Sequence, residues 1–191
     1  MTEHLLLQVT DLQAGYQRPL VGPLSFTLPA GQVLVLQGAN GAGKSTVMRA
    51  LTGEARCFAG RIERPASVRL ACQPQHSPLP AELPMTVREY LRLAQAQPHR
   101  LGGLPDRLAS LQGHRLDHLS GGQWQLLRVF ATLCQPAPLI LLDEPTNNLD
   151  PDGEALLVAL LKGLGPDRGV LLVCHEADFV GHVAHQLVEV G

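Results

Sequence analysis

The chain has 191 residues, 45 % of them apolar and 17 % charged, with a formal net charge of −2. That length suits one domain with a real core and is short for two, and the composition is globular, which excludes a disordered chain. No Lys/Arg run marks a general nucleic-acid binder, and no apolar stretch reaches ~18 residues without a charge or a break, so no membrane span is predicted.

In chain order, "HLLLQV" (4–9) and "LSFTL" (24–28) read as strands, separated by turn signals at Gly15, Pro19, Gly22 and Pro23. The opening "MTEHLLLQVTDLQAG" has no basic n-region, so no secretory leader is expected. "QVLVLQ" (32–37) is a nearly continuous apolar run, as in a buried strand. A glycine loop follows, then a helix from Lys44 to about Leu51 closed by Gly53, and a strand at 67–72. From Pro74 to Pro105 prolines punctuate the chain around one helix at about 86–96, which reads as a small helical subdomain inserted in an α/β core. A helix over Gly121 to Leu133 precedes the apolar strand "LILLD" (139–143). A helix at about 152–162, the strand "GVLLVCH" (169–175), a last helix and an edge strand at 186–190 complete a strand–helix alternation that predicts a mostly parallel sheet. One domain is expected over 1–191, with 1–75 and 139–191 as core and about 76–138 as the helical part. The four cysteines, Cys57, Cys72, Cys134 and Cys174, are scattered, which predicts reduced thiols and a cytoplasmic setting. The eight histidines are scattered too, and most are expected at the surface.

Three motifs carry chemistry. Gly38, Gly41, Gly43, Lys44 and Ser45 fit G-x-x-x-x-G-K-[ST], with Asn40 and Ala42 inside the loop and Thr46 after it. Glycines let successive N–H groups point at one anion, and the helix start adds its positive dipole end. Lys44 is expected at the β- and γ-phosphates of ATP, and the Ser45 hydroxyl at Mg²⁺. "LILLDE" ends in two acids, Asp143 for the Mg²⁺ water shell and Glu144 as general base. "LSGGQ" (119–123) starts a second helix, with Ser120 as its cap and Gly121, Gly122 and Gln123 in its first turn. One nucleotide does not need two such cradles from one chain, whereas a head-to-tail pair does, each loop facing the other chain's motif across one ATP.

"GANGAGKS", "LSGGQ", "LILLDEPTNNLD" and "VCH", in this order, resemble an ATP-binding cassette (ABC) ATPase domain over essentially the whole chain. The resemblance implies a P-loop NTPase fold with an N-terminal antiparallel β part. It implies that Tyr16 stacks on adenine, against the plainer reading of a turn tyrosine, and that Gln75 touches Mg²⁺, with Gln73 as the competing glutamine. It further implies that Asp150 belongs to a loop crossing to the partner chain and that His175 contacts the γ-phosphate. Two departures stand out: Leu126 and Ala131 occupy positions where the family usually has arginines, with Arg128 between them.

The function this implies is an ATP-binding subunit of a transporter. It would be held at the inner face of the cell membrane by permease subunits docked on the proline-rich region, and would work with a second copy or a homologous ATPase domain. "PQHSPLPAELPMTVREYLRL" resembles zinc and manganese importer ATPases, while "GPLSF" and "GGQWQ" resemble cobalamin importer ATPases. The alternative is a ribosome-acting ABC-F protein, suggested by "DEPTNNLD"; those proteins carry two cassettes in one chain.

Overall fold

The computed structural model describes residues 4–75 and 84–191. β1 (Leu5–Gly15) and β2 (Pro19–Pro29) pair antiparallel. Both run longer than the sequence suggests, and Gly22 and Pro23 lie inside β2 rather than in a turn. β3 (Val33–Gln37) leads through the glycine loop into α1 (Lys44–Thr52), which Gly53 ends at φ 83.

β4 (Arg56–Glu63) was not expected from the sequence. It is exposed along most of its length because it forms the outer edge of the antiparallel sheet, in the order β2-β1-β4. With no buried face it shows no hydrophobic alternation, and its pairing with β1 alone makes it a strand.

β5 (Leu70–Gln73) starts later than predicted. The proline-rich stretch at 76–83, where the helical part was expected to begin, lies outside the described residues. Beyond it, α2 (Val87–Leu93) starts in a capping box, Thr86 and Glu89 satisfying each other's backbone N–H groups. It stops short of the predicted 96 because Gln95 turns left-handed, at φ 54. Short helical turns and α3 (Asp106–Ala109) follow.

α4 (Gly121–Leu133) has a second capping box, between Ser120 and Gln123. Its far end is closed by Arg168, whose guanidinium donates to the carbonyls of Leu133, Gln135 and Ala137. β6 (Leu139–Asp143), α5 (Pro151–Lys162), β7 (Gly169–Val173), α6 (Ala177–Val183) and β8 (Gln186–Glu189) complete the chain. The second sheet is wholly parallel, ordered β5-β6-β7-β3-β8, with β8 at one edge as expected.

Two cores explain the continuous apolar strands. Val33, Val35, Ile140, Leu142, Val170 and Leu172 face α4, α5 and α6. Their neighbours Leu34, Leu36, Leu139, Leu141, Leu171 and Val173 face α1 and the antiparallel sheet. Each such side chain contributes about 1.5–3 kcal/mol by burial. Leu126 and Ala131 are each 1 % exposed and belong to the first core, so these two departures are packing positions here. No helix among the described residues is long and apolar enough to cross a membrane.

Candidate functional site

The carboxyl ends of β3, β6 and β7 meet the start of α1. Gly38, Gly41 and Gly43 have φ of 142, 84 and 104, which only glycine adopts readily. A Cβ on Gly38 would lie 2.1 Å from the Val190 carbonyl oxygen, so the loop also needs the missing side chain for space. No side chain caps α1, whose first N–H groups are therefore free to face an anion. Lys44 is buried and its Nζ donates to the carbonyls of Gly38 and Ala39, at 2.7 and 2.9 Å, folding over the loop.

The loop borders a cleft of about 310 Å³, lined by Asn40, Gly41, Gly43, Lys44, Ser45 and Thr46 on one side and by Gln75, Glu144 and Val173 on the other. Asp143, 6 % exposed, ends β6 and lines an adjoining hollow that shares Gln75 with the cleft. Burial pushes the Asp143 carboxyl up from its ordinary value, while the Ser45 hydroxyl, the Arg49 and Lys44 charges and the Gln75 backbone pull it down. Its Oδ1 is buried and has no hydrogen-bond partner among the described residues. An orphaned carboxylate oxygen next to a serine hydroxyl is an all-oxygen donor set, the kind a hard dication such as Mg²⁺ takes.

Glu144 has φ 50, unusual for a glutamate, and its N–H donates to the Val173 carbonyl at 3.0 Å. That turn aims its carboxylate at the cleft and at His175, whose Nδ1 lies 2.9 Å from Oε2. Burial raises the Glu144 carboxyl and the His175 contact lowers it. A buried carboxylate held against an imidazole can accept a proton from water in the cleft.

The two candidate glutamines separate because β5 ends between them. Gln73 is buried, and its Nε2 points toward Gln125 Oε1 at 3.5 Å. Gln75 lies past Pro74, is exposed and lines the cleft.

Other expected residues are not brought to the cleft lining. Tyr16, 44 % exposed, borders a separate hollow with Gln17, Arg18 and Leu20. Its hydroxyl accepts from Arg49 of α1 at 2.7 Å. Ser120, Gly121, Gly122 and Gln123 sit at the free start of α4, where a Cβ on Gly122 would come within 2.5 Å of the Asn148 carbonyl oxygen. Asp150 caps α5 through the Gly153 N–H and forms an ion pair with Arg107 of α3. The sequence reading passed over Gln125, whose signal was a polar residue inside the apolar run of α4.

The ABC transporter family model matches residues 21–147. The zinc import ATP-binding protein ZnuC of Paracoccus denitrificans is 32 % identical over 194 residues, covering 96 % of this chain and 75 % of that protein. The protein of the same name from Roseobacter denitrificans is 32 % identical over 193 residues, covering 96 % and 74 %. A solved ATP-binding subunit of an ABC transporter superposes with a TM-score of 0.79 at 27 % identity, covering 97 % of this chain and 85 % of that one.

Proposed function

Because the chain belongs to the ABC transporter family, we propose that it hydrolyses ATP in the cleft at the start of α1 to drive import of a metal ion through separate permease subunits. It is an ATP-binding subunit of an ABC transporter and an ATPase. The observation that carries the site assignment is that Lys44, Ser45 and Glu144 line one cleft between strand ends and a helix start, with Asp143 reached by the Ser45 hydroxyl just behind it. The identity to zinc import ATP-binding proteins supports a metal ion as cargo, permease subunits as partners and a peripheral place on the inner face of the membrane. The same relatives favour transport over the ribosome-acting alternative.

In this reading the N–H groups of the loop and of the first turn of α1 bind the phosphates, and Lys44 Nζ exchanges its two carbonyl partners for phosphate oxygens. Ser45 and Asp143 would hold Mg²⁺, aided by Gln75; the ion would spread the negative charge that develops on the phosphates. Glu144 takes the proton of the attacking water, and His175 holds its carboxylate in line. Tyr16 offers an exposed ring for adenine. Ser120, Gly121, Gly122 and Gln123 close over the nucleotide of a second copy or a homologous ATPase domain, with Asp150 in the adjoining loop.

Two experiments test this. Lys44→Ala should reduce phosphate release from Mg-ATP by at least about a hundredfold, since electrostatic contacts of this kind carry ~10²–10³ in rate; wild-type turnover would sink the site. The chain co-expressed with its permease and reconstituted in vesicles should accumulate zinc when ATP is supplied. ATP hydrolysis without accumulation of zinc or another divalent metal would refute the metal cargo alone.

A further inference from the structure

Gln125 is a buried amide in the middle of α4, and both ends of its side chain are engaged. Its Nε2 donates to the carbonyls of Glu144 and Pro145, each at 3.1 Å. Its Oε1 accepts from Arg128 Nη1 at 3.2 Å. Arg128 Nη2 in turn donates to the Pro74 carbonyl at 2.5 Å, one residue before Gln75 enters the cleft. Arg128 is buried and forms no ion pair with a carboxylate among the described residues.

A cation buried against neutral oxygens alone is expensive, so its geometry has to earn its place. A planar guanidinium can reach oxygens on two different elements at once, which the single ammonium of a lysine does poorly. The other end of the chain of bonds also needs support. Glu144 sits in the left-handed region, a strained conformation that persists only where its surroundings hold it. The Gln125 amide ties down the two carbonyls of that turn.

We propose that Gln125 and Arg128 are a positioning pair, which locks the loop carrying Gln75 and the backbone of Glu144 into one arrangement set by α4. Neither residue lines the cleft. A displacement of α4, whose first turn carries the Ser120 motif, therefore reaches both walls of the cleft together. This rests on the ATPase reading above and adds to it the route by which the Ser120 motif acts on Glu144.

The molecule carries its own reporter. Trp124 is the one tryptophan in the chain; the Arg128 guanidinium lies 5.9 Å from its ring centre, and Tyr90 of α2 meets it edge-on at 5.1 Å. Mg-ATP should change Trp124 emission in the wild-type chain.

Arg128→Lys and Gln125→Met, alone and together, should bind Mg-ATP within about twofold of wild type and lose that emission change. Their kcat should fall about tenfold at unchanged KM, the mark of an interaction that matters in the transition state. The double variant should lose no more than the worse single, because the two residues act as one unit.

A folded variant with wild-type kcat and emission change overturns the proposal. So do equal shifts in kcat and KM, additive losses, or a wild-type emission that ignores Mg-ATP. Arg128→Lys keeps the buried charge and most of the stem, so it decides the matter if Gln125→Met melts below the assay temperature. Failure of both to fold would make the pair part of the core and refute the positioning role. A wild-type chain that does not hydrolyse ATP fails the ATPase reading instead, whereas wild-type hydrolysis beside unaffected variants fails only this proposal.

Discussion

Glu144 is pulled in two directions, upward by burial and downward by the charge and hydrogen bond of His175. The base proposed here must be ionised to work, so activity should be lost as pH falls through its folded pKa, and a raised pKa moves that loss to higher pH. His175→Ala removes the two largest downward influences and leaves burial and the Asp143 charge opposed only by the Lys44 charge. The acid limb of kcat at saturating Mg-ATP should therefore move to higher pH in this variant. A pH–rate profile superimposable on the wild type would detach His175 from the ionisation of Glu144. The same scale shows why Gln73 and Gln75 could not be told apart from the sequence. On β5 the residues Ala71 and Gln73 share the inward parity, and Pro74 ends the strand so that Gln75 escapes it. Both would share one face if the strand ran on, so the distinction depends on where it ends, which the run at 67–72 did not reveal.

α4 links the proposed motif at its start to the core along its length. At its C-terminal end the Leu133 carbonyl, and beyond it that of Ala137, accept from the buried guanidinium of Arg168, which also reaches the Gln135 carbonyl. Arg168→Met keeps the apolar stem and removes the donors. Leaving buried acceptors unsatisfied costs about 1–3 kcal/mol per group, so the urea midpoint should drop clearly, and by more than for Ser120→Ala, whose exposed cap is worth ~1 kcal/mol. Equal losses in the two variants would show that water replaces the guanidinium at the helix end. The helix itself was legible to the residue, because its apolar face, its glycines and its serine cap agree. β4 was not legible, since an exposed edge strand owes its form to the strand beside it.

The Ser120 motif and the loop before Lys44 do not share a cleft lining within one chain. If they share a nucleotide between chains, a variant that binds ATP without cleaving it should accumulate as a dimer, because ligand that favours the dimer shifts the equilibrium by mass action. Glu144→Gln keeps the shape of the side chain and removes the proposed base. With Mg-ATP it should elute as a dimer in size-exclusion chromatography with light scattering, and Ser120→Arg added to it should restore the monomer by placing a bulky side chain in the opposing cradle. A Glu144→Gln chain that stays monomeric at high protein and ATP concentrations would argue that permease subunits, not the nucleotide, hold two copies together.

What the sequence determined by itself was local chemistry and pattern. The glycine spacing before Lys44, the paired acids after an apolar strand and the serine-capped start of α4 each depend on neighbours in the chain, so each could be read there. The parallel sheet followed from strand–helix alternation for the same reason. What only the tertiary structure decided were the meetings across the chain: Glu144 with His175, Asp143 with Ser45, Tyr16 with Arg49, and the run of hydrogen bonds from Pro74 through Arg128 and Gln125 to Glu144. Those pairs are far apart in sequence, and no local preference encodes them. They exist because packing two cores onto the two faces of one sheet leaves each side chain a single place to go.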